Sequence, residues 1–203
     1  MGYSTDFLGC FKCTPVLTEA QRLYLSAFAE KRHMKRRVAS SQPIFSVKSM
    51  PDPLREAIGL PVGKQGAYFV GGRGFAGQEE DSTVVDHSTP PSICPSLWCH
   101  WAPSECGKYF GWNGNEKFAE YVSWLVFITD HFLGQWGVVL NGVVRWQGED
   151  AKDWGSITVK DNVIHRMEKV AYTPTHPDKM AKPSTRLAIP ARPIRSVREL
   201  KRR

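Results

Sequence analysis

Cys10 and Cys13 stand at Cys-x-x-Cys spacing, which serves either a redox dithiol or one half of a zinc site. A thioredoxin-type pair needs its second cysteine at the strand-to-helix junction of a βαβ unit, and none follows Cys13. A zinc site would need further ligands from Cys94, Cys99, Cys106, His87 and His100. The spacings of five and seven residues between those three cysteines match no common finger. The thiols therefore read mostly as small buried hydrophobes, with no metal and no cofactor expected. An odd number of cysteines, five, and an N-terminus without a charged segment leading into an apolar core point to a reducing cytoplasm. If the chain is phage-encoded, that means the host cytoplasm or the phage particle.

The other polar residues that can do chemistry cluster between positions 71 and 95. Arg73, Asp81, Asp86 and His87 are the candidate set for an enzyme acting on a nucleotide or nucleic acid. Ser82, His87 and Asp86 can be composed into a triad, but no Gly-x-Ser-x-Gly nucleophile elbow accompanies them. Gly71, Gly72, Gly74 and Gly77 resemble a phosphate cradle loosely. No helix opening on Lys-Ser/Thr follows them, so they specify close backbone approach and not a nucleotide. Farther on, Glu149, Asp150 and Asp153 are acidic enough for a hard cation, but the alternation, the glycine and the distal Glu of a calcium loop are missing. They read as a polar connection.

The net charge of +7 is unevenly distributed. Residues 174–203 hold nine Lys and Arg, among them Arg192, Arg195, Arg198, Lys201, Arg202 and Arg203, against Asp178 and Glu199, so the preceding 173 residues sum to zero. That segment also contains five prolines, no aromatic residue and no periodicity. Such a composition buries too little apolar surface to offset its ordering entropy. The sequence thus divides into a globular domain over 1–173 and a basic, Pro-rich, extended or disordered tail over 174–203. The tail offers non-specific contact with phosphates or with an acidic protein face.

The elements that must position these groups are legible from pattern. Residues 4–14 read as a strand with Phe7, Gly9 and Phe11 on one face, closed by Pro15. Thr18 and Gln21 form a capping box for a helix with Ala20, Leu23, Tyr24, Ala27 and Phe28 on its apolar stripe. Its end, "EKRHMKRR", places cations where the helix dipole is negative, or else forms a basic patch. Residues 38–58 read as a connector with one short helical turn, and 67–70 as a strand. A hairpin follows over 97–112. A second helix carries Phe118, Tyr121, Val122, Leu125, Ile128 and Phe132, capped by Asn113 or Asn115. His131 lies near its end and reads as a solvated histidine favoured by the dipole. Asn141-Gly142 and Asp161-Asn162, each between runs of β-formers, are hairpin signals. They predict a four-stranded meander over 136–140, 143–147, 155–160 and 163–170.

"MGYSTDFLGCF", "YFVGG", "WCHW", "LNGVVRWQGED" and "ITVKDN" are similar to a group of uncharacterised short bacterial and phage proteins that open with a Gly-Tyr-Ser-Thr-Asp-Phe stretch. The resemblance covers roughly residues 1–165 and transfers no activity, cofactor or catalytic residue. The expected fold is α+β: a mainly antiparallel sheet of about six to eight strands, two amphipathic helices on one face, and a C-terminal β-meander. The opposite face is either exposed or covered by the 71–95 loop. Because no catalytic constellation emerges, the leading expectation is a non-enzymatic binding protein. It recognises a protein or nucleoprotein partner through the Gly-rich loop, with Arg73 and Phe75, and through nearby Trp98, Trp101 and Trp112, while the tail adds electrostatic attachment. The small enzyme named above and a structural component of a phage particle or other assembly are the alternatives. No stretch is long and apolar enough to span a membrane.

Overall fold

The computed structural model describes residues 3–39, 41, 45–72 and 77–168. It is an α+β fold in which a six-stranded antiparallel sheet carries two helices on one face and a two-stranded sheet stands beside it. The strands of the large sheet are β1 (Thr5–Thr14), β4 (Trp101–Pro103), β5 (Tyr109–Trp112), β6 (Val139–Gly148), β7 (Trp154–Lys160) and β8 (Val163–Glu168), in the order β4-β5-β1-β6-β7-β8. The small sheet pairs β2 (Lys35–Arg36) with β3 (Val84–Asp86). Among the described residues the helices are α1 (Glu19–Glu30), α2 (Pro53–Ala57) and α3 (Tyr121–Ile128), with short 3-10 turns between them and a π-helical continuation of α3. Among the described residues no helix is long and apolar enough to cross a membrane.

The capping box forms as expected, with the Thr18 hydroxyl accepting from the Gln21 amide and the Gln21 side chain accepting from the Thr18 amide. The buried stripe of α1 is rotated from the expected one: Tyr24, Leu25, Phe28 and Ala29 are buried while Leu23 is exposed. The helix also stops at Glu30, so its last turn carries no cation. Residues 31–37 leave the helix and pair at Arg32 with Trp98 and at Lys35–Arg36 with β3, and Lys31 and Arg36 turn inward, which corrects the expected cationic helix end.

Helix α3 begins later than expected, at Tyr121, and has no side-chain cap. Gly114, Lys117 and Glu120 adopt positive φ in the approach, and the Asn113 carboxamide oxygen accepts instead from the Asn115 amide. Val122 and every residue from Trp124 to Ile128 are buried, the mark of a helix enclosed on all sides. Its continuation over Thr129–Leu133 is a π-helix. The Thr129 hydroxyl donates to the Leu125 carbonyl at 2.8 Å, and this competition with the ladder accompanies the widened turn.

Two strand expectations fail. Residues 67–70 form a turn, not a strand, with the Tyr68 amide donating to Val62 and the Val70 amide to the Asp52 carboxylate. Asn141-Gly142 is no hairpin: both residues lie inside the continuous strand β6, paired to β1 on one side and β7 on the other. Gly142 has φ +150°, and a Cβ there would come within 2.8 Å of the Cys10 carbonyl oxygen. The glycine thus serves strand contact, a second reason for its presence that the turn signal masks. Asp161 and Asn162 do form the predicted turn, with φ of 51° and 64°. The Asn162 side chain fixes it by accepting from the Leu140 amide and donating to the Val138 carbonyl. The C-terminal meander therefore has three strands, β6, β7 and β8.

The core lies between the sheet and the helices, around the fully buried Trp101, Trp124, Phe11, Phe28, Phe110, Phe127 and Phe132. Each fully buried large apolar side chain contributes roughly 1.5–3 kcal/mol, so the aromatic cluster dominates the favourable side of folding.

Candidate functional site

The segment from residue 77 to 95 is fastened to the end of α1 by buried polar groups. Gln78 is buried at the point where α1 stops, and its carboxamide donates to the Glu30 carbonyl and accepts from the Arg32 amide. These two bonds satisfy backbone groups that the end of a helix leaves open. β3 then pairs with β2, which brings Asp81 against Arg36 with Nη1 to Oδ2 at 2.9 Å. The same Nη1 donates to the Thr83 hydroxyl, Asp81 Oδ1 accepts from both the amide and the hydroxyl of Thr83, and the guanidinium lies over the Phe69 ring at 4.8 Å. Burial pushes the Asp81 carboxyl up, but the Thr83 donors and the Arg36 guanidinium outweigh it and hold the group below the ordinary Asp value.

A second buried pair backs the first. Asp52 is fully buried, and its Oδ2 accepts from Arg55 Nε at 2.9 Å and from the Val70 amide at 3.1 Å, while Oδ1 has no partner. The loop glycines find their reason beside these groups. A Cβ at Gly71 would come within 2.2 Å of the Pro51 carbonyl oxygen, and one at Gly72 within 3.3 Å of Asp81 Oδ2. Close approach of two chain segments, not phosphate binding, accounts for both.

The expected catalytic residues do not converge. Asp81 faces inward to Arg36 and Thr83. Asp86 closes a turn, its carboxyl held below the ordinary value by the Thr89 hydroxyl and then by the Ser88 amide. His87 is exposed, and its carbonyl accepts from Arg32 Nε. Arg73, Phe75 and the tail residues Arg192, Arg195, Arg198, Lys201, Arg202 and Arg203 lie outside the described residues, as does the boundary at 173. Compared with family models, curated proteins and solved structures, the chain matches none. Its chemistry therefore has to be read from its own geometry.

The tryptophans do not make the expected platform near the loop. Trp101 is wholly buried and donates through Nε1 to the Tyr121 carbonyl, a correction that follows from its place on the inner face of β4. Trp112 is half-buried against Phe7 and bonded to the Asn115 carbonyl. Trp98 is half-buried, bridges to Arg32 through its backbone and stacks on His100. Cys10 is exposed on the outer face of β1 while Cys13 is buried on the inner one, so the two thiols face opposite sides of the sheet. Burial raises the Cys13 thiol to about 11. Cys94 and Cys99 are also buried, as expected of apolar thiols, and Cys106 is exposed. Among the described residues no group of three or more His, Cys, Asp or Glu side chains is placed to hold a metal ion. In the acidic 149–153 loop, Glu149 accepts from the Ser4 amide and Asp153 from the Tyr3 hydroxyl, so the loop pins the start of β1.

Sequence reasoning missed three histidines as structural groups. His33 is buried, with its Nε2 3.1 Å from the Phe28 carbonyl oxygen and its ring against Phe28 and Trp124. Burial drives it down to about 3, against a smaller opposing effect from the Phe28 carbonyl. His100 is buried with Nδ1 unpartnered. His131 is not the solvated histidine expected: it is half-buried on Phe127, and its Nδ1 meets the Tyr68 hydroxyl at 2.8 Å. Burial lowers both. None of the three carried a spacing signal, because the side chains that complete their surroundings, Trp124 at His33, Phe118 at His100 and Tyr68 at His131, are distant in sequence.

Proposed function

We propose that the chain is a non-enzymatic binding protein that recognises a protein or nucleoprotein partner through the 71–95 segment, with the basic 174–203 segment adding electrostatic attachment. The observation that carries this reading is the clamp beneath the segment. Arg36, Asp81, Thr83 and Gln78 are spent on holding it, while Val85 and His87 stand exposed at its outer side. A recognition segment held rigid from below loses little conformational freedom on binding. Catalysis would instead require polar groups converging on one reacting atom, and Asp81, Asp86 and His87 serve separate tasks. The charge neutrality of residues 1–173 supports assigning the electrostatic part to the last thirty residues.

The test titrates a fluorescently labelled DNA duplex with the full chain and follows anisotropy at increasing salt. The expected affinity falls by orders of magnitude over a modest salt increase, as ~5–9 phosphate contacts require. It disappears when Arg192, Arg195, Arg198, Lys201, Arg202 and Arg203 are made neutral. Salt-insensitive binding that survives those replacements would refute the electrostatic part. Turnover of a nucleotide substrate that is lost on changing Asp86 or His87 would refute the non-enzymatic part.

A further inference from the structure

Among the described residues the helices cover one face of the large sheet. On the other, Leu8 is 73% exposed, Val143 50%, Tyr109 44% and Met167 41%. Cross-strand register places the outward residues of this face in rows that run across the strands. One row is Tyr109, Lys12, Asn141 and Lys160, and the next is Gly111, Cys10, Val143, Thr158 and His165. The third row is Leu8, Arg145, Ser156 and Met167, and the fourth Asp6, Gln147 and Trp154. At the β5 side lies an open depression of about 400 Å³, lined by Cys10, Ala102, Ser104, Tyr109, Gly111 and Asn113.

We propose that this uncovered face binds a second copy of the chain, the two sheets packing face to face about a two-fold axis that runs across the strands between the second and third rows. Charge selects the axis. A two-fold parallel to the strands through β6 would lay Lys12 over Lys160 and Arg145 over itself. The transverse axis lays Lys12 over Asp6 of the second copy, Asn141 over Gln147, and Lys160 over the Trp154 ring. It also sets Leu8, the most exposed apolar residue of the face, over Cys10 at the edge of the depression beside Gly111. Each copy thus offers the same knob and the same hole, as an isologous interface requires. The aliphatic stem of Arg145 covers Val143. Strands about 4.8 Å apart and rows about 6.7 Å apart give the five-strand, four-row patch roughly 650 Å² per copy. That is close to the ~800 Å² that one side of a standard interface buries. Pairing of like sheets in this way is the ordinary aligned sandwich packing. The proposal does not depend on which partner the 71–95 segment recognises.

The mass of the full chain in solution, measured by light scattering after size exclusion, is expected to be that of a dimer. Leu8→Lys is expected to yield a monomer that still unfolds cooperatively, with a melting temperature that no longer depends on protein concentration, because Leu8 is exposed and lies outside the monomer's core. Asp6→Lys sets two like-charged contacts into the interface and is expected to weaken the dimer about tenfold. Combining it with Lys12→Asp should restore the dimer. A chain that remains monomeric at high micromolar concentration overturns the proposal. So does a dimer indifferent to Leu8→Lys. If the monomer's Cys10 reacts faster with a thiol reagent once residues 169–203 are removed, the tail occupies the face and the proposal fails.

Discussion

The most quantitative consequence of the fold is that it loses stability in mild acid through His33. The ring is buried between Phe28 and Trp124, and its folded value of about 3 lies far below the ordinary 6.5. A basic group depressed in this way binds its proton in the unfolded chain first, so stability is full above the ordinary histidine value and declines as pH falls below it. Each pH unit below that point costs about 1.4 kcal/mol until the folded value is reached, so the loss near pH 5 is about 2 kcal/mol from this residue alone. His100 and His131 are lowered by burial too and act in the same direction. The carboxylates Asp81 and Asp86 are held below their ordinary 3.8 and weaken the fold only in stronger acid, outside this window. Urea unfolding from neutral pH to about pH 5 measures the decline. His33→Gln retains a donor for the Phe28 carbonyl without a titrating group, and should cost about 1–2 kcal/mol at neutral pH while flattening the acid slope. Equal slopes in the two proteins, or an His33 imidazole resonance that titrates near the ordinary value in the folded state, would refute the reasoning.

Two further outcomes follow from the interior. Asp52→Ala removes the carboxylate from the buried Arg55 guanidinium and from the Val70 amide, and should cost about 3–5 kcal/mol in thermal or urea unfolding. Asp52→Asn, which keeps an acceptor, should cost less. Gly142→Ala drives a methyl group toward the Cys10 carbonyl in the seam between β1 and β6, and should cost about 1–3 kcal/mol, seen as a lowered melting temperature and faster amide exchange along both strands.

Much of the architecture was written locally. The capping box at Thr18, the turn at Asp161-Asn162, and the apolar run of α3 depend on neighbours within a few residues, so pattern alone identifies them. The α+β class and the antiparallel sheet followed from those pieces. Asn141-Gly142 was misread because a glycine in a turn and a glycine in a tightly approached central strand look alike in sequence. Only the strand beside it, more than a hundred residues earlier, distinguishes them.

The candidate site was legible in place but not in role. Composition marked 71–95 as exceptional, yet the partners that define it, Arg36, Asp52 and Arg55, lie in segments that looked like a helix end and a connector. The sequence by itself determined the capped start of α1, the turn at Asp161-Asn162, the apolar run of α3 and the concentration of positive charge in the last thirty residues, because propensity, capping and charge are properties of short stretches. The tertiary structure alone decided that Lys31 and Arg36 point inward, that Trp101 is core, that Asp81, Asp86 and His87 serve separate tasks, and that among the described residues one face of the sheet carries exposed Leu8, Val143 and Met167. Burial and pairing are set by contacts between residues far apart along the chain, and a carboxylate or a tryptophan has the same letter whether it meets a guanidinium, a core or water.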